Sequence, residues 1–97
     1  MEFFVKDVPT LFVILDGKQI KVNDIRNTLD QFATEDDAIN SYNLESIAAA
    51  DVLVTEGILE SYIGSRMAHL YKKTDKFDQY YADFTSYYYK YIEENRA

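Results

Sequence analysis

Hydrophobic and polar positions divide the chain into an opening stretch that reads as extended and a longer remainder that repeats every three or four residues. Phe3, Phe4 and Val5 form a short extended run, Pro9 interrupts it, the five residues from Leu11 to Leu15 are apolar, and Gln19-Ile20-Lys21-Val22 alternates. Asp16-Gly17 between the last two runs predicts a hairpin, because a type I′ turn needs positive φ at both central residues. A lone hairpin is marginal in water, so residues 1–22 must pack on helices or join a sheet made with neighbours. Asn23 is placed to cap a helix running to about Ala33, with Ile25, Leu29 and Phe32 on one face. Thr34-Glu35-Asp36-Asp37 gives a second helix-start signal, followed by a short turn or helix to about Asn43. From Leu44 to about Lys73 there is no proline, and Leu44, Ile47, Ala48, Val52, Ile58, Leu59, Tyr62, Ile63 and Leu70 keep helical spacing. This predicts one long central helix, weakened at Gly57 and Gly64, with Gly64 marking a kink or a break.

Lys72-Lys73 suits a helix C-terminus and Thr74-Asp75 the start of the next helix, which places a tight turn between them. Helices joined this closely pack antiparallel as an αα-hairpin. Phe77, Tyr80, Tyr81, Phe84, Tyr87, Tyr88 and Tyr91 then fall within an arc of roughly 140°, so one face of the last helix is almost wholly aromatic, with Tyr89 off the stripe. The expectation is a single domain over residues 1–97. It is mainly α, with an N-terminal β-hairpin (1–22), a helical remainder (23–97), and a long central helix packed antiparallel on an aromatic C-terminal helix.

Composition narrows the function classes. The chain has 97 residues, a formal charge of −7 and no cysteine, which excludes disulfides, thiolate chemistry and cysteine-ligated zinc. A single histidine weighs against a histidine metal site. No apolar run is long enough to span a membrane, and the opening residues give no reason to expect a signal peptide. Eight acidic residues (Asp30, Glu35, Asp36, Asp37, Glu45, Asp51, Glu56 and Glu60) lie between Arg26 and Arg66 with no basic residue among them. From Ser65 onward six basic residues face five acidic ones. Without a basic stripe to displace counterions from phosphates, direct binding of nucleic acid is not expected.

Candidate chemistry is sparse. Acidic residues at Glu35, Asp36 and Asp37 are accounted for by a helix N-terminus, and no calcium-loop spacing comes after them. Asp51 falls inside the apolar arc of the central helix, where an unpaired carboxylate is costly, so it is either paired or at an interface. His69 shares that arc, but eighteen residues of continuous helix separate the two by roughly 27 Å, which rejects a His-Asp pair unless the chain folds back at Gly64. No serine has a nucleophile-elbow context. Catalysis and cofactors are therefore not expected. Glu45, Glu56 and Glu60 project within about 60° of one another on the helix, which leaves two readings: a solvated face, or a phosphate mimic that inhibits a host nucleic-acid enzyme. The aromatic stripe also has two readings, core against the central helix or contact with another chain. Tyrosine, an apolar ring with a hydroxyl tip, suits half-dry protein interfaces. Asp51, Tyr62, Tyr80, Tyr87, Tyr88, Tyr89 and Tyr91 are the candidate interface residues.

The stretch Ser46 to Met67, alanine-rich and ending Leu59-Glu60-Ser61-Tyr62-Ile63-Gly64-Ser65-Arg66, resembles the core helix of tailed-bacteriophage head-to-tail connector (adaptor) proteins. The likeness covers the central helix, about a third of the chain, and rests on helical periodicity and a Tyr-x-Gly-x-Arg cluster. The acidic segment Thr34 to Asn40 matches one that often precedes that helix. Two features depart from the family: the predicted helix is about a turn longer, and the hairpin has no clear counterpart. The resemblance implies a small non-enzymatic assembly protein, made in the host cytoplasm and carried in the virion. Such a protein forms a homo-oligomer and contacts portal or tail subunits. The alternative from charge alone is the acidic inhibitor.

Overall fold

A computed structural model describes residues 2–7 and 10–95 and shows helix and strand interleaved. The order is β1 (Phe3–Asp7), β2 (Thr10–Leu15), β3 (Lys18–Lys21), α1 (Val22–Ala33), β4 (Ile39–Asn40), α2 (Ile47–Thr55), β5 (Leu59–Ile63), β6 (His69–Lys73) and α3 (Phe77–Glu94). The strands form two antiparallel three-stranded sheets, ordered β1-β2-β3 and β4-β6-β5.

The β2–β3 hairpin forms where expected. Asp16 and Gly17 both have positive φ, 52° and 73°, and Leu15 pairs with Lys18 across the two-residue turn. Pro9 lies outside the described residues. The strand before it pairs with β2 through Phe3↔Val13, Phe4↔Phe12 and Val5↔Leu11, with a bulge after Val5. Helix α1 starts one residue before Asn23 and has no side-chain cap. Its buried face includes Ile25, Leu29 and Phe32, as the spacing implies. Thr34 to Asp37 start no helix. The Gln31 side chain ties down the segment beyond them, donating to the Asn43 carbonyl and accepting from the Glu45 N–H at 3.1 Å. Ser46 caps α2, its Oγ accepting from the Ala49 N–H at 3.1 Å.

The long central helix does not exist, and the mainly α architecture falls with it. Helix α2 ends at Thr55, and the chain continues into a β-hairpin, β5–β6. The cause is local. Gly57 adopts φ +80°, and the Ile58 N–H bonds the Leu53 carbonyl while the Gly57 N–H bonds the Val54 carbonyl. These are the paired bonds of a Schellman motif, which stops a helix by placing a residue in the left-handed region. The hairpin then reverses over Gly64–Ala68, where the Gly64 N–H donates to the Ala68 carbonyl at 2.8 Å. A Cβ on Gly64 would lie 2.6 Å from Leu70 Cδ1, so any larger residue there would have to displace the Leu70 side chain. Glu45, Glu56 and Glu60 consequently sit before α2, after it and on β5, and share no helix face.

The antiparallel αα-hairpin is likewise replaced. Thr74 joins β6 to α3, its hydroxyl shared between the Gly57 and Ile58 carbonyls at 2.6 and 3.0 Å. Helix α3 lays its aromatic stripe on β1, where Phe3 is ringed by Phe84, Tyr87, Tyr88 and Tyr91 at centroid distances of 4.7–6.5 Å. One core runs through the molecule, including Val13, Ile25, Phe32, Ala49, Leu53, Leu59, Tyr71, Phe77 and Phe84.

Candidate functional site

Three of the eight large apolar side chains left in solvent, Tyr62, Ile63 and Met67, lie on the β5–β6 hairpin; Val5, Ile14, Tyr42, Ile47 and Tyr89 are scattered over other elements. Leu59 of β5 is buried in the core, but Glu60, Ser61, Tyr62 and Ile63 beyond it are all exposed. Ile63 is 59% exposed and Met67, in the connecting loop, 82%. Arg66 and Met67 hold φ of 59° and 62°, a left-handed conformation that costs a side-chain-bearing residue roughly 1–2 kcal/mol. Strain of this kind at an exposed tip is a recurrent mark of functional loops. On the outer face of the sheet, Lys72 bonds Glu60 at 3.2 Å and reaches over the Tyr62 ring at 5.5 Å.

On the opposite face, Tyr71 of the central strand is fully buried and its hydroxyl donates to Asp51 Oδ1 at 2.6 Å. Burial pushes the Tyr71 hydroxyl up to about 12, and the hydrogen bond to Asp51 and that residue's negative charge act in the same direction. His69 lies against the Tyr71 ring, 4.7 Å between centroids. The chain does fold back at Gly64, and what Asp51 meets there is a tyrosine rather than the histidine. Asp51 and Tyr62, both candidate interface residues, therefore face different ways: Asp51 bonds a side chain of the inner face, while Tyr62 points outward from the adjacent register position.

The tyrosines of α3 divide by burial. Tyr80, Tyr87, Tyr88 and Tyr91 are half-buried against the core, with Tyr88 held between Phe3 and the Arg26 guanidinium, which sits 4.0 Å from its ring centre. The Tyr80 hydroxyl is buried without a hydrogen-bond partner, and burial, with Glu56 adding its charge, pushes it up to about 12. Tyr89 is 60% exposed. It borders a cavity of about 100 Å³ lined also by Arg26, Leu29, Asp30, Tyr81, Phe84 and Thr85. There Tyr81 donates to Asp30 at 2.6 Å, a bond that raises the Tyr81 pKa more than its burial does.

Among the described residues no group of three or more histidine, aspartate or glutamate side chains is arranged to hold a metal ion, and no helix is long and apolar enough to cross a membrane. Periodicity assigns Ile63 to a helix and says nothing of Met67, while Arg66 enters only through the Tyr-x-Gly-x-Arg cluster. The signal that could have found them is the pair Gly57 and Gly64, which brackets an independent extended segment. Compared with models of protein families, with curated proteins and with solved structures, the chain matches none.

Proposed function

We propose that this chain is a non-enzymatic structural subunit that acts through contacts with other protein subunits, at the head-to-tail junction of a tailed phage, and is carried in the virion. The observation that carries the reading is the exposed hairpin end, where Tyr62 and Ile63 at the end of β5 and Met67 in the left-handed connecting loop stand in solvent. Single exposed apolar residues are ordinary, but several together on one hairpin mark a contact surface. The phage setting comes from the resemblance over Ser46 to Met67. That likeness is now one of residues and not of a long helix, yet Tyr62, Gly64 and Arg66, which carry it, all lie at this hairpin.

Sedimentation of the purified chain with a purified portal ring tests the reading. Co-sedimentation is expected, weakened at least about tenfold by Tyr62→Asp or Met67→Asp, both at exposed positions where folding is not at stake. Failure to co-sediment, or binding indifferent to both substitutions, sinks the proposal.

A further inference from the structure

Helix α3 carries a second stripe beside its aromatic one. Counting from its N-cap, Lys76, Tyr80, Asp83, Tyr87, Lys90 and Glu94 are separated by four and three residues in alternation, the spacing of a coiled-coil seam, and fall within an arc of roughly 80°. Helix α1 lies on the opposite side of α3, where Tyr81 bonds Asp30 and Thr85 and Tyr89 border the same cavity. The stripe looks away from it. At the head of the stripe the turn after α2 comes near, with Lys76 Nζ 3.7 Å from where a Cβ on Gly57 would stand. Toward its other end Tyr87, Lys90, Tyr91 and Glu94 line an open groove of about 280 Å³. Lys76, Asp83, Lys90 and Glu94 are exposed, and Tyr80 and Tyr87 are half-buried.

Little within the chain engages these charges. Among the described residues Lys76 and Asp83 have no ion-pair partner, and Lys90 and Glu94 meet only at 4.0 Å, with both side chains mostly in solvent. The stripe is also self-complementary end to end. Taken inward from its two ends toward the level of Thr85, it matches Lys76 with Glu94, Tyr80 with Lys90, and Asp83 with Tyr87. These are cation with anion, ring with cation, and hydroxyl with carboxylate. Two cations and two anions leave the stripe neutral on a chain of charge −7.

We infer that α3 pairs antiparallel along this stripe with α3 of a second copy of this chain, about a two-fold axis level with Thr85. The pairing makes no use of the hairpin on which the proposed function rests. Because the axis exchanges the two helices, each match occurs twice. Lys76 bridges Glu94 of the second copy, Lys90 lies beside its half-buried Tyr80 ring, and Asp83 accepts from its Tyr87 hydroxyl. Charge also fixes the register. Sliding by one heptad in one direction sets Asp83 opposite Glu94, carboxylate against carboxylate, and sliding in the other carries Lys90 and Glu94 past the start of the facing helix. Exposed ion pairs contribute little singly, so the association is weak and depends on concentration.

Analytical ultracentrifugation and a pair of cysteine variants test this. The wild-type chain is expected to dimerise as its concentration rises. Asp83→Lys, at an exposed position, should leave the far-UV circular dichroism unchanged and raise the dimer dissociation constant about tenfold, because it adds a cation beside Lys90 of the second copy at two symmetric places. Lys76→Cys and Glu94→Cys, in a chain that otherwise lacks cysteine, stand roughly 27 Å apart along one helix but face each other across the axis. A mixture of these two single variants should be joined by a short bismaleimide into a covalent dimer, in a yield well above that of either variant alone. Both positions are exposed, so folding is not at stake. If Asp83→Lys disturbs folding, the cross-linked mixture decides. A wild-type chain monomeric up to several hundred micromolar, a folded Asp83→Lys variant that associates like wild type, or a mixture that cross-links no better than the single variants each overturns the pairing. Binding to a portal ring by a monomeric chain would discard the pairing and leave the proposed function standing. A cross-linked dimer that ignores the ring would do the reverse.

Discussion

The hydroxyl of Tyr71 and the carboxylate of Asp51, twenty residues apart in the chain, meet at 2.6 Å and tie the middle strand of the second sheet to α2. This bond explains an acidic side chain on the apolar side of α2. Replacing Tyr71 by Phe keeps the buried ring and deletes the bond. Hydrogen bonds to charged groups contribute about 1.5–3 kcal/mol, and the lower end is expected because Asp51 is exposed and regains water. Urea unfolding measures it, and a variant as stable as wild type would show that the bond adds nothing.

Tyr80 should behave in the opposite way. Its hydroxyl is buried with no partner, so the folded state has lost a hydrogen bond to water without replacing it. Tyr80→Phe is therefore expected to be neutral or to stabilise by up to about 1 kcal/mol. A loss of stability in thermal unfolding would reveal a partner for that hydroxyl.

The same two tyrosines set an alkaline limit. Both are raised from the ordinary 10.0 to about 12 in the folded chain, chiefly by burial. When the chain unfolds, each hydroxyl returns to its ordinary value, so above pH 10 the unfolded state releases protons that the folded state retains. Stability from these groups is complete below about pH 10 and is lost as the pH rises toward 12. Unfolding midpoints measured from pH 8 to 12 should be flat and then fall, and the Tyr71→Phe/Tyr80→Phe double variant should fall less steeply. Parallel curves would rule out these two groups as the cause.

Met67 offers a test of whether strain is kept for contact. Met67→Gly removes the left-handed penalty and adds backbone freedom to the unfolded chain, a net stabilisation of about 0.5–1 kcal/mol. Binding to a protein partner should weaken in the same variant, because an 82% exposed side chain is lost from the tip. A variant both more stable and equally good at binding would remove Met67 from the contact surface.

The sequence pattern disclosed the ends of the fold better than its middle. Asp16-Gly17 admits one turn chemistry, and the spacing of Ile25, Leu29 and Phe32, like that of Phe77, Phe84 and Tyr91, continues long enough to exclude a strand. Between Leu44 and Lys73 the apolar positions of a short helix and two strands happen to fall at intervals of three and four. There the decisive residues are Gly57, whose left-handed backbone halts α2, and Gly64, where the reversal begins and the Leu70 side chain packs against the bare Cα. Neither effect has a hydrophobic period. The candidate surface was hidden for the same reason: Tyr62 is visible as an aromatic residue, but Ile63 falls on the apolar spacing of a helix that never forms, and Met67 belongs to no period. The aromatic stripe was legible as a face needing cover. That Phe3 supplies much of the cover depends on a contact between the two ends of the described chain, which no local pattern encodes.

That contact also orders events in time. Phe3 leaves the ribosome long before Phe84, and at 5–20 residues per second the interval is roughly 4–16 s. Throughout it, Phe3 lacks the rings of Phe84, Tyr87, Tyr88 and Tyr91 that cover it in the folded chain. The first strand must wait, sticky and unsheltered, for the last helix, so the exposure of Phe3 is a hazard of synthesis that the finished fold has closed.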